Sequence, residues 1–292
     1  ISHIVTYILV ISIIASAVVC NFTVNNISAF AAAEIWDGKS ADFTEGSGTE
    51  ADPYKISNGG QLFKMMTSQG KDADGNGLYY EITEDIDLGG VSGGHNWKIK
   101  NTADTVTDGN YSFTGHLDGK GHTIKGMYLA AGTDIARAAL IPALGAGATV
   151  SNVIISGANI NATASKSYAA AITSEVRGND VTVSSCFVDS SSVFAAAGSV
   201  GGIICAAKNN APVINNCGFI GTLKKTDGTV LKAGGIVALV YSKKAVLNNC
   251  YSVGAYPVDA DNPTNIQAYT CKNIYTDTAA ELVTGYSAYP DW

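Results

Sequence analysis

Between residues 149 and 253 the apolar residues fall in short Val, Ile, Phe and Tyr stretches that alternate with polar partners and are broken by Gly, Asn, Asp or Ser. Period-two stretches of this length predict strands joined by turns, whereas a helical repeat needs Ala/Leu/Glu/Lys runs at a spacing near 3.6. The pattern also recurs. "TVSNVIISG" from Thr149, "TVSSCFVDS" from Thr182, "PVINNCGFIGTL" from Pro212 and "AVLNNCYSVGAY" from Ala245 align, so that Val153, Cys186, Cys217 and Cys250 form a column spaced 33, 31 and 33 residues. A second column, Leu140, Ile172, Ile203 and Ile236, marches with it at 32, 31 and 33, each member preceded by two small residues. A fixed period in this range predicts a solenoid in which each lap buries its face against its neighbours. A lap of about 32 residues accommodates three short strands and their corners, stacked as parallel sheets about 4.8 Å apart. The expected architecture is therefore all-β: a parallel β-helix of about four to five laps.

Each column implies a role. Val153 and its cysteine equivalents point into the shaft, where a free thiol packs as a small hydrophobe. Parallel Cβ vectors disfavour a disulfide ladder. Asn152, Ser185, Asn216 and Asn249 form a polar ladder at a corner, and the glycine pairs Gly201-Gly202 and Gly234-Gly235 suggest tight turns at positive φ.

The ends read differently. Residues 4–19 are uncharged and mostly apolar, and Ala29 and Ala31 fit a signal-peptidase site, so 1–31 reads as a secretory signal. Residues 32–90 are expected to form an N-terminal cap and the first strands. Within them, Leu62, Met65 and Met66 share one face of a short helix over 57–70, and Tyr80, Ile82, Ile86 and Leu88 alternate as a first strand pair. The repeats then occupy 91–275. In 276–292, Thr278 and Glu281 form a capping box ahead of Leu282, which suggests a second cap or the start of a following segment.

Taken with the repeats "GGIICA" and "GGIVAL", the stretches "GSGTEADPYKI" and "LDGKGHTIKG" make residues 35–285 resemble secreted bacterial surface proteins that carry GLUG-type repeats. The chain departs from that pattern in its first lap, where "RAALIPALG" replaces the usual Gly-Leu-Phe-Gly. The resemblance implies a right-handed parallel β-helix on the cell surface or in longer secreted proteins, some of them adhesins or accessory regions of proteases. It implies no common catalytic residue.

Composition narrows the partners. With 18 Lys+Arg against 25 Asp+Glu and a net charge of −7, the chain lacks the basic cluster that a nucleic-acid phosphate backbone requires. No membrane insertion is expected once the signal is cleaved. "DADGNG" opens like a calcium loop with Asp72, Asp74 and Asn76, but Thr83 stands where a bidentate Glu is needed, so the favoured reading is a solvated turn and no cofactor, with calcium as the alternative. His95 and Trp97 in "GGHNWKI" suit either a sugar-stacking loop or an aromatic seal, the latter favoured. Asp118, Lys120 and His122 cluster in "LDGKGH", read as a polar corner rather than a catalytic group. Lys224, Lys225, Lys243 and Lys244, expected in loops of neighbouring laps, would make a positive strip for acidic glycans.

Together these features point to a secreted or cell-surface, non-catalytic module for adhesion, glycan or host-protein binding, or rigid spacing. A polysaccharide lyase or hydrolase, or a protease-associated accessory domain, is the alternative.

Overall fold

The computed structural model describes residues 34–98, 111–132, 135–207, 211–226, 232–241 and 245–253, with the backbone strands Tyr269–Thr276 and Tyr286–Ser287. The expected signal segment, the Thr278/Glu281 capping box, Lys243 and Lys244 lie outside the described residues.

The chain winds as a parallel β-solenoid of about four turns. Its strands fall into one 14-stranded sheet and three four-stranded sheets, and equivalent strands of successive laps pair in parallel. A representative lap runs Thr149–Ser151, Ile154–Ser156, Asn159–Ala162, Tyr168–Ala169 and Thr173–Val176. A lap thus holds five strand segments rather than three. The extra breaks fall at the two columns seen in the sequence: one after Ser151, where Asn152 turns the chain, and one between Ala169 and Thr173.

Both columns stand as spaced. Val153, Cys186, Cys217 and Cys250 are fully buried, as are Leu140, Ile172, Ile203 and Ile236. The described cysteines Cys186, Cys205, Cys217 and Cys250 are free thiols. The Sγ atoms of Cys186, Cys217 and Cys250 each point to the carbonyl two residues earlier, at 3.4, 3.3 and 3.3 Å. Burial raises the Cys217 and Cys205 thiols well above their usual range. The hydrogen bond from Cys217 lowers Cys250 instead, and all four, fully buried, pack as small hydrophobes.

The corner column corrects one expectation. Left-handed backbone is supplied by Asn152, Ser185, Asn216 and Asn249, at φ 55°, 52°, 53° and 51°. None of Gly201, Gly202, Gly234 and Gly235 has a positive φ. Those glycines are required by close approach instead. A Cβ on Gly202 would collide with the Gly235 carbonyl oxygen, and one on Gly235 with the Ser252 hydroxyl. Asn tolerates the left-handed region because its short amide bonds locally, which leaves glycine free for the crowded corner.

The N-terminal helix forms as Gly59–Thr67, capped by the Asn58 side chain, which accepts from the Gln61 amide at 3.0 Å. Leu62, Met65 and Met66 are buried and join the core that runs through the shaft. The parallel ladder begins before that helix, at Tyr54–Ile56, which pairs with Tyr79–Ile82. The latter pairs with His116–Asp118 across the intervening residues.

Outside the shaft, on the sheet that contains Thr173–Val176, Glu175 is buried and lies 3.2 Å from Arg137 Nε and 2.6 Å from Arg177 Nη2. Arg137 also stacks over the Tyr168 ring at 4.1 Å, and Arg177 donates to the Tyr111 carbonyl at 2.8 Å. This cluster ties the residues near Tyr111 to the second lap.

Candidate functional site

Along the first wall, alternate residues point inward and outward, as a pleated strand requires. Tyr80, Leu117 and Val150 are buried, so Tyr79 and Glu81, His116 and Asp118, and Thr149 and Ser151 face out. Register then aligns Tyr79 with His116 and Thr149, and Glu81 with Asp118 and Ser151. Residues far apart in sequence become neighbours across adjacent rungs.

The Tyr79 ring stacks on the His116 imidazole, centroids 4.2 Å apart and planes 25° apart. His116 Nδ1 lies 3.0 Å from the Thr149 hydroxyl. Burial lowers the proton affinity of His116 below its usual 6.5, only partly opposed by Glu50, so the imidazole is neutral at pH 7.

Beside this pair, the corner after Asp118 is longer than its equivalents. Four residues, Gly119 to His122, stand between paired strands where two, Asn152 and Val153, suffice one lap later. The added length carries Lys120, at φ 53°, out over the wall. Its ammonium lies 3.4 Å from Glu81 Oε2 and 3.5 Å from Asp118 Oδ2, while Lys55 reaches Glu81 Oε1 at 3.1 Å. Burial opposes ionisation of Asp118. Hydrogen bonds donated by Asn152 Nδ2, 2.9 Å, and by the Lys120 amide, 2.9 Å, outweigh it and hold the carboxyl below its usual range. The two adjacent carboxylates in turn raise Lys120. Glu50, Tyr79, Glu81, His116, Asp118, Lys120, Thr149 and Ser151 line an open concavity of about 280 Å³. It offers the edge of a stacked aromatic pair, fixed charges of both signs and two hydroxyls.

The residues singled out in the sequence divide. Asp118 and Lys120 meet in this concavity, but His122 turns away to Asp85, 3.3 Å distant. Trp97 is 2% exposed, donates from Nε1 to the Leu140 carbonyl at 3.0 Å and packs against Trp36 and Phe63. It is the aromatic seal and presents no face to a sugar. His95 is half-buried, edge-on to Trp36. In the 72–77 turn, Asp72 Oδ1 accepts the amides of Asp74 and Asn76, at 2.9 and 2.8 Å, and Oδ2 the Asn76 side chain at 3.0 Å. That carboxylate is held by its own loop. Lys224 and Lys225 are not in a loop: they end the strand Thr222–Lys225, which pairs with Val193–Ala196.

Tyr79, His116 and Glu81 were not separated out by sequence reasoning. Each is one outward position in an ordinary alternation, and only the register between rungs brings them together.

No family model matches the chain, and no curated protein matches it. Among solved structures it is similar to a Bacteroides ovatus protein described as a "putative immunoglobulin A1 protease", with 17% identity and a TM-score of 0.51 over 84% of this chain and 86% of that one. At that identity the likeness concerns the fold.

Proposed function

We propose that the chain is a non-catalytic module of a secreted or cell-surface protein, which uses its solenoid to hold a binding face toward an extracellular glycan or a surface protein of a host. The observation that carries this reading is the outward row that continues from the concavity: Ser151, Ser184, Asn215 and Asn248 stand in register, small and uncharged, on successive laps. A rigid wall of repeated hydrogen-bonding groups suits a partner contacted along a length, since little side-chain entropy is lost when it is covered. The GLUG-type resemblance agrees with such a role. The lysines Lys224, Lys225, Lys243 and Lys244 belong to the same reading as a second, charge-driven surface.

The test is an array of glycans and extracellular-matrix proteins probed with the full chain, run beside a polysaccharide-degradation screen. Retention on one class of partner without degradation is the expected result. Depolymerisation would favour the enzyme reading, for which the neutral His116 beside Tyr79 and two carboxylates is the relevant observation. Removing the four lysines should abolish any salt-sensitive adhesion. The likeness to the Bacteroides ovatus protein makes an accessory region of a protease the third reading, tested by whether the chain co-purifies with proteolytic activity in its source.

A further inference from the structure

We propose that the concavity on the first wall is a subsite for a neutral oligosaccharide, a segment of which continues along the wall parallel to the solenoid axis. This rests on the ligand-binding reading above and gives it a place and a ligand class.

Three features carry it. The first is the Tyr79–His116 pair, two half-buried rings stacked at 4.2 Å. Stacked face to face on adjacent rungs, the rings cover each other's inner faces and present a rigid, partly apolar edge beside polar groups, against which the C–H surface of a pyranose can pack.

The second is the polar set opposite. Glu81 is fixed by Lys55 and Lys120, and Asp118 by Lys120 and Asn152. A carboxylate has about four acceptor sites and an ammonium three donors, so these pairs retain capacity for ligand hydroxyls while already held in place. Neighbouring hydroxyls on a sugar donate to one such group and accept from the next. Preorganisation of this kind lowers the entropy lost on binding.

The third is the charge balance. Three carboxylates, Glu50, Glu81 and Asp118, surround two ammoniums, Lys55 and Lys120, and His116 is neutral. Both ammoniums already face carboxylates. A uronate, sialate or sulfate would have to compete with those partners and meet the remaining negative charge, so the site selects against acidic sugars. At about 280 Å³ the concavity lies near the lower end of small-ligand sites, roughly 300–1,000 Å³, and so suits one or two sugar rings. It is open toward Thr149 and Ser151, beyond which the uncharged row Ser184, Asn215 and Asn248 offers only hydrogen-bonding groups.

The experiment is calorimetric titration of the full chain with neutral gluco-, manno- and galacto-oligosaccharides, from disaccharide to hexasaccharide, against oligogalacturonate and heparin fragments. Expected is binding of a neutral series that tightens with length and changes little with salt. Tyr79→Val, which keeps a strand-forming residue, and Lys120→Asn, which suits the left-handed backbone, should each weaken it about tenfold, the loss of one good contact. Thermal melting of both variants confirms that the wall is intact. Preference for the acidic fragments, no neutral binding, or neutral binding unaffected by both folded variants would each overturn the subsite. Should the array still retain a partner in any of those cases, the module reading survives without this site; should the array retain nothing, both fall.

Discussion

The Asn249 side chain donates from Nδ2 to Oδ1 of Asn216, 3.0 Å away and one lap earlier, while both residues hold left-handed backbone at φ 51° and 53°. The same residue type thus serves the turn and the stacking. The two roles separate by substitution. Asn216→Gly keeps the conformation and loses the amide, a cost of about 1 kcal/mol, whereas Asn216→Ala also meets the left-handed penalty of about 1–2 kcal/mol. Equal losses in chemical denaturation would mean that the backbone conformation contributes nothing.

The crowded corner behaves differently. Gly202→Ala drives a methyl into backbone, the Gly235 carbonyl, and should destabilise by about 1–3 kcal/mol or more with no side-chain remedy. Gly235→Ala meets the Ser252 side chain, so Ser252→Gly should recover part of its loss. Absence of recovery in the double variant would place the conflict elsewhere.

For the inward column, Cys217→Ala should cost about 1–2 kcal/mol through a small cavity, and Cys217→Asp should prevent folding because an unpaired carboxylate would enter the shaft. The native thiols should resist a maleimide reagent until the chain is unfolded. Rapid labelling in native buffer would show that the column is accessible.

Glu175 is expected to be among the most sensitive polar positions. Its removal leaves Arg137 and Arg177, 11% and 15% exposed, without the carboxylate between them. Glu175→Ala should therefore lose about 3–5 kcal/mol, the usual cost of breaking one side of a buried ion pair. A melting temperature close to that of the parent would show that the arginines find other partners.

Acid should loosen the first laps. Burial lowers the His116 proton affinity, so the unfolded chain, with this group at its ordinary 6.5, takes up the proton first. The stabilisation is complete above 6.5 and is lost as pH falls through the folded value. Asp118, also lowered, adds a loss of the same sign at lower pH. Melting temperature measured against pH should fall below neutrality, and His116→Asn should flatten that fall; an unchanged slope would remove His116 as its cause.

What could be read in the sequence follows from what repeats. The Cys and Ile columns recur at nearly constant steps, so the solenoid was visible without any structure. Five strands per lap were not, because segments as short as Phe187–Val188 or Tyr168–Ala169 are too brief to show a period. Tyr54–Ile56 was hidden because its parallel partner lies beyond a helix. The concavity was hidden for a related reason: Tyr79 and His116 are ordinary outward residues until pairing sets them side by side. Lys224 and Lys225 looked like loop charge because two adjacent lysines break an apolar alternation, yet their backbone pairs with Ala195 and Ala196.

The in-register pairing of Thr149 with Thr182, and of Thr182 with Val213, also makes length a quantised property of this molecule. Duplicating or deleting one whole lap would shift everything beyond it by a single rung, about 4.8 Å, with every ladder re-formed. A change of one residue inside a strand would instead turn its outward polar side chains toward the apolar core, whereas a corner such as Gly119–His122 absorbs added residues. A lineage of such chains can therefore act as a ruler with discrete graduations, altering reach lap by lap.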